Sequence, residues 1–233
     1  PARRPLRGAA AMTVLQTARQ KSWGLHLGVI ALLFLLQFVL PEYHHGNFSR
    51  IMVLACFAMG YNILFGYTGM LSLGHALFFA AGLYGMGMSM HHLGWPAEAA
   101  LLAGGIAGVV AAFGVGVLAL RTTGVAFMIV TLMFAQAGYL TILYFGDYTR
   151  GDEGFVITAA ERIFLGFVLT DPSFRYGAAL ILFAVMVVVT LRLVQSGFGH
   201  VLVAIRENEE RTRMLGYDIQ RHKLIAMVIS GGM

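Results

Sequence analysis

Apolar residues run along this chain in long blocks rather than in alternation. No Asp, Glu, Lys or Arg occurs in residues 22–41, 51–97, 99–120, 122–146 or 176–191. A membrane-spanning helix needs about 20 mostly apolar residues, so the first four blocks are long enough and the fifth suffices with a flank. Hydropathy and length predict helices over 24–40, 51–66, 74–91, 99–120, 123–145 and 176–194, with a seventh starting near residue 223. The block at 51–97 holds 47 residues. As one helix it would be about 70 Å long at about 1.5 Å per residue, against a hydrocarbon core of about 30 Å, so it must cross twice. The turn falls near Gly66 to Ser72, where the chain reads GYTGMLS. The fold class expected is an all-α, polytopic transmembrane bundle of about six or seven helices.

Composition agrees with the pattern. Of 233 residues, 58% are apolar and 12% are charged, about half the charged share of a soluble domain. The apolar run after Lys21 continues for a full span with no small-residue cleavage site before Pro41, so it reads as a retained first helix rather than a signal peptide. The single cysteine, Cys56, lies in an apolar run and reads as a small buried hydrophobe.

Charge sets the expected orientation. With the N-terminus inside, the inner segments hold twelve of the sixteen basic residues: Arg3, Arg4, Arg7, Arg19, Lys21, Arg121, Arg192, Arg206, Arg211, Arg213, Arg221 and Lys223. The outer segments hold Arg50, Arg150, Arg162 and Arg175, with Glu42, Glu98, Asp147, Asp152, Glu153, Glu161 and Asp171. The positive-inside rule therefore favours a cytoplasmic N-terminus. It also accounts for the net charge of +5 without nucleic acid, which would need a solvated basic surface on a soluble fold. The expected organisation is a basic cytoplasmic segment at 1–23 and one permease domain at 24–233, with an outer loop at 146–175 and an inner loop at 195–222. Within the outer loop, IFLGFVLT at 163–170 is too short to span and reads as an interfacial or externally packed segment. Ten apolar residues after Lys223 make about half a crossing, so the chain reads as C-terminally incomplete.

The only lysines, Lys21 and Lys223, come directly after Gln20 and His222, so no G-x-x-x-x-G-K-[ST] phosphate loop exists here. The pairs His44–His45 and His91–His92 fall at the outer interface and read as solvated polar linkers, with a metal site the alternative. The inner loop is unlike any other connection. HVLVAIRENEERTRML has apolar residues at 201, 202, 205, 214 and 215 around a charged middle, which predicts a short amphipathic helix stopped by Gly216. It is either a solvated interhelical loop or a docking helix for a soluble partner. The third distinctive stretch is the turn itself. Glycine-interrupted backbone at membrane depth is tolerated only against protein or a water-filled cavity, where freed amides and carbonyls can bind a zwitterion. Gly66, Gly69, Ser72, Gly74 and His75 are the substrate-path candidates, with helix packing the alternative; Gln136, Asn62 and Thr131 are weaker, since each could satisfy a neighbouring helix instead. Ala81, Gly85 and Ser89 repeat every four positions and read as helix packing.

Four stretches carry a family resemblance. FGHVLVAIRENEERTRMLGYDIQRHKL resembles the cytoplasmic coupling segment of LivM-type permeases, subunits of bacterial ATP-binding-cassette importers for branched-chain amino acids. GYTGMLSLGHALFF at 66–79, RTTGVAFMIVTLMFAQ at 121–136 and TRGDEGF at 149–155 agree with it in the same order. The resemblance implies a multi-pass inner-membrane subunit that is not itself an enzyme and carries no cofactor. Its partners would be a second homologous permease, two cytoplasmic ATPases that bind ATP and Mg, and a periplasmic substrate-binding protein. It implies ATPase coupling through Ala204, Arg206, Glu207, Asn208, Glu210, Arg211 and Gly216. Glu210 and Gly216 keep the spacing of the family's E-A-A-x-x-x-G motif, but Arg211 and Thr212 replace its alanines. Arg150 stands where relatives often have glycine. The competing readings are a channel or facilitator for a small neutral solute such as urea or short amides, and an integral membrane enzyme. The enzyme is disfavoured because no acid, base or metal-ligand pair lies at membrane depth.

Overall fold

The computed structural model describes residues 6–155, 163–164, 167–168 and 171–233, with 6–22 and the two short strands described at backbone level. Among these residues ten α-helices run in chain order: α1 Leu6–Val39, α2 Glu42–Asn62, α3 Ala76–Leu93, α4 Ala97–Ala119, α5 Val125–Tyr144, α6 Gly146–Thr149, α7 Pro172–Val194, α8 Gly197–Glu207, α9 Glu209–Met214 and α10 Ile219–Gly231. A π-helical turn, Ile63–Tyr67, prolongs α2. Strands β1 (Ile163–Phe164) and β2 (Phe167–Val168) pair antiparallel in the outer connection. The rest of 163–170, with Glu161 and Arg162, lies outside the described residues, as do Arg3 and Arg4.

Among the described residues, four helices are long and apolar enough to cross a membrane: α2 with its π turn, α4, α5 and α7. The apolar part of α1, Trp23–Val39, and the 18-residue α3 complete the bundle. Three expected boundaries move. Helix α1 begins at Leu6 and not near residue 24, so the basic segment continues the first helix. Helix α2 begins at Glu42, nine residues before the expected start, because Pro41 supplies an extended residue ahead of a helix with Glu42 in its first turn. The inner amphipathic helix divides in two at Asn208, whose extended backbone ends α8 and whose side chain caps the Arg211 amide at 2.9 Å to start α9.

The π turn and residues 68–75 position the site. Leu64 accepts from the Thr68 hydroxyl, and the Gly69 and Met70 amides return to Phe65 O and Leu64 O at 3.1 Å each. Gly69, at φ +73°, makes that reversal without a side-chain clash. Residues 68–75 then turn back along α2 until His75 lies against Phe57 and Tyr61, with ring centroids 5.3 and 5.0 Å away. Gly60, whose carbonyl meets the same cluster through Ser230, is seven residues before Tyr67. The segment therefore climbs about 10 Å back into the bundle.

Leu64, Met70, Phe78, Ala112, Val115, Phe127 and Met227 share one buried cluster, which joins this segment to α3, α4, α5 and α10. Close backbone approach seals the α3–α4 seam: a Cβ on Gly104 would come within 2.7 Å of Gly82 O. Gly85 faces Ala103 and Ala107 in the same seam. A separate cluster of Met52, Tyr176, Ala179 and Leu180 holds α2 on α7.

The histidine pairs are not linkers. His44 and His45 lie in the first turn of α2, and His45 is buried against Tyr176, centroid to centroid 5.2 Å. His91 and His92 end α3, where His92 Nε2 bonds Tyr148 O at 2.8 Å. Among the described residues no His, Cys, Asp or Glu group is arranged to hold a metal. Cys56 is buried, as its apolar setting predicts.

Candidate functional site

The substrate-path candidates divide by burial. Ser72, Gly74 and His75 are buried, Gly66 is half-buried, and Gly69 is exposed toward α8. Gln136 lies apart, exposed on α5. Gly74 is pressed on the backbone of α5 at Thr131 O, where any side chain would collide. The Leu73 amide donates to Thr131 Oγ1 at 3.2 Å, and that hydroxyl donates to Met128 O at 2.9 Å. Thr131 thus satisfies an amide that the broken backbone leaves free, one of the options open to it in the sequence.

His75 is the centre of the cluster. Its ring is enclosed by Phe57, Tyr61 and Phe78, and it is only 4% exposed. Nε2 lies 3.2 Å from Ser230 Oγ on α10. The Ser230 hydroxyl has one proton, and it donates that proton to Gly60 O on α2. Nε2 must then carry the imidazole proton, and Nδ1 is left as a bare acceptor. Nδ1 has no hydrogen-bond partner among the described residues, and neither does the buried Ser72 Oγ three residues earlier. Two orphaned polar atoms in one short non-helical stretch are costly, each about 1–3 kcal/mol; both His45 ring nitrogens and Thr190 Oγ1 are unpaired as well, so it is the pairing of Ser72 with His75 in the broken backbone that distinguishes this place. Ser230 is a site residue that hydropathy does not single out. Its one signal in the sequence is that it is the sole polar residue in the run LIAMVIS.

The inner segment touches this site directly. Arg206 Nη1 donates to Gly66 O at 2.6 Å, and its aliphatic stem lies over Gly69. The Arg206 Nη2 pairs with Glu207 at 2.8 Å. Leu202 of α8 is buried with Ile63 of the π turn and Ala226 of α10. On the other side Lys223 of α10, buried, pairs with Glu209 of α9. Of the remaining coupling candidates, Ala204 is half-buried, whereas Glu207, Asn208, Glu210, Arg211 and Gly216 are exposed. Gly216 adopts φ +89° just after α9, the left-handed stop expected of it. Met214 and Leu215 do not continue the apolar stripe of α8; they are 86% and 69% exposed and stand beside Tyr217.

At 149–155, TRGDEGF folds against α3 and α5. Tyr84 donates to Gly151 O at 3.2 Å, Tyr139 donates to Asp152 at 3.3 Å, and Phe155 covers Gly87. Arg150 is the one non-glycine with positive φ among the described residues, at 62°.

Comparison with known proteins agrees with this architecture. Over 201 residues the chain is 30% identical to the high-affinity branched-chain amino acid transport system permease protein LivM of Escherichia coli K12, covering 77% of this chain and 47% of that one. It is 29% identical over 236 residues to LivM of Salmonella typhimurium LT2, covering 92% and 55%. The chain thus spans about half the length of the curated relatives it matches. No solved structure matches it at comparable significance. The family model for the branched-chain amino acid transport system permease component matches residues 46–233, and the chain, a multi-pass bundle of apolar helices, belongs to that family.

Proposed function

We propose that this chain is the membrane subunit of an ATP-binding-cassette importer, driven by separate cytoplasmic ATPases and carrying branched-chain amino acids across the inner membrane. The observation that carries this reading is the double attachment of α8–α9. Arg206 ties the segment to the carbonyl of Gly66 in the broken helix, and Glu209 ties it to Lys223 at the foot of α10. Helix α10 in turn holds His75 through Ser230. A push on the inner segment would therefore reach both ends of the 66–75 stretch by rigid contact. A transporter subunit that receives its energy from outside needs such a linkage, and a simple channel has no use for it.

In this mechanism the exposed side of the segment, with Glu210, Arg211, Met214 and Leu215, meets an ATPase. ATP and Mg are bound by the ATPases, while a second homologous permease completes the path and a periplasmic binding protein delivers substrate. ATPase closure shifts α8–α9, and α10 draws Ser230 away from His75. The ring, released at Nε2, can turn so that Nδ1 and Ser72 Oγ, both already unpaired, meet the polar end of a zwitterion, Nδ1 accepting from its ammonium. Inside is the face that carries Arg206, Arg211 and Arg213, in keeping with the positive-inside rule.

The test uses the full-length permease with its ATPases in vesicles. Glu210→Ala and Gly216→Ala should leave ATP hydrolysis running while substrate uptake falls at least tenfold. Undiminished uptake in both variants, or uptake by the permease alone, would favour a facilitator instead.

A further inference from the structure

A second candidate site is a cavity of about 340 Å³ between the end of α4 and the start of α10. Its lining has two characters. Val117, Leu120 and Leu224 give an apolar wall, and Arg121, Gln220 and Arg221 give a polar one. Gly116, also in the lining, adds no side chain of its own.

The polar side is short of partners. Arg121 has no ion pair or side-chain hydrogen bond among the described residues. Arg221 gives only Nε to Asp218, at 3.0 Å, and its side chain is 82% exposed, so both terminal nitrogens remain open. Lys223 nearby is already consumed by Glu209. After Asp218 is counted, the two guanidiniums leave one uncompensated positive charge at the cavity. An Arg at the end of a helix is favourable for the helix dipole by itself, but that explanation needs neither a cavity nor a second arginine from another helix.

We propose that this cavity binds an anionic phospholipid, its phosphate held by Arg121 and Arg221 and its glycerol and acyl stem lying on Val117 and Leu224. The guanidinium fork suits phosphate oxygens. The choice of a lipid over a soluble phosphate rests on the lining, whose surface is mostly apolar, and on its surroundings. Leu118 and Ile225, on the flanks, are 49% and 47% exposed, and they continue the apolar surface that a bilayer would cover. Basic pockets between helices at a membrane face are suited to such head groups.

The full-length protein is placed in nanodiscs that mix phosphatidylglycerol with phosphatidylcholine, and the lipids it retains are counted by native mass spectrometry. Basic side chains near a membrane surface contribute about fivefold each, and with Asp218 offsetting one of the two guanidiniums wild type should prefer phosphatidylglycerol by about fivefold. Arg121→Gln should remove that preference, and the double variant with Arg221→Gln should show none. Millimolar inorganic phosphate should not displace the lipid. Equal retention of the two lipids by wild type overturns the proposal without any variant. So does an undiminished preference in a folded double variant, and displacement by inorganic phosphate would make the site one for a soluble anion.

Discussion

At the scale of single residues, His75 decides most. A ring enclosed by three aromatic side chains and anchored to α10 at Nε2 is a packing element, but packing does not require a bare, buried Nδ1. The two roles separate in a variant. His75→Phe keeps a planar ring and removes both nitrogens, and should lower stability by about 1–2 kcal/mol, the scale of a lost hydrogen bond with an imperfect fit. If Nδ1 serves the path, the folded variant loses uptake more than tenfold; uptake near wild type, with only the thermal midpoint lowered, would confine His75 to packing. Arg150 shows a different economy. Its φ of 62° costs a non-glycine residue about 1–2 kcal/mol, and nothing in the surrounding contacts explains why glycine does not stand there.

At the scale of elements, the inner segment matters through its breaks. The apolar pattern at 201, 202 and 205 was legible because α8 is amphipathic, and 202 and 205 are buried as that spacing requires. The pattern could not show that Asn208 would interrupt the helix, since its cap needs only a local turn that competes on nearly equal terms with helix continuation. The break turns α9 so that Glu209 reaches Lys223. A buried lysine without its partner is costly, whereas replacing both by uncharged groups is nearly neutral. Glu209→Gln should therefore melt below wild type, with a loss of about 1–3 kcal/mol given that Glu209 is partly exposed. Glu209→Gln with Lys223→Met should recover most of it. Equal melting of the single and double variants would show that the pair holds nothing.

At the scale of the whole molecule, the large exposed apolar surface is what a bilayer asks of its solute: over its spanning window α5 is only 11% buried. Orientation can be read chemically because the one cysteine of this sequence, Cys56, is buried. Tyr217→Cys should react with a membrane-impermeant maleimide only from the cytoplasmic side, and Trp95→Cys only from the opposite side. Labelling of Tyr217→Cys from outside would invert the topology. Block length and charge-free runs determined the helical class and the division of 51–97 into two helices, because a hydrocarbon slab of fixed thickness leaves few alternatives. The glycines of 66–75 also marked the break, since only such residues tolerate its backbone. Tertiary structure alone decided that the break climbs back beside α2, that Ser230 and Thr131 complete it, and that Arg206 seizes Gly66. Those contacts join residues as many as 155 positions apart, and hydropathy, being a local quantity, carries no record of which distant helix a polar side chain will meet.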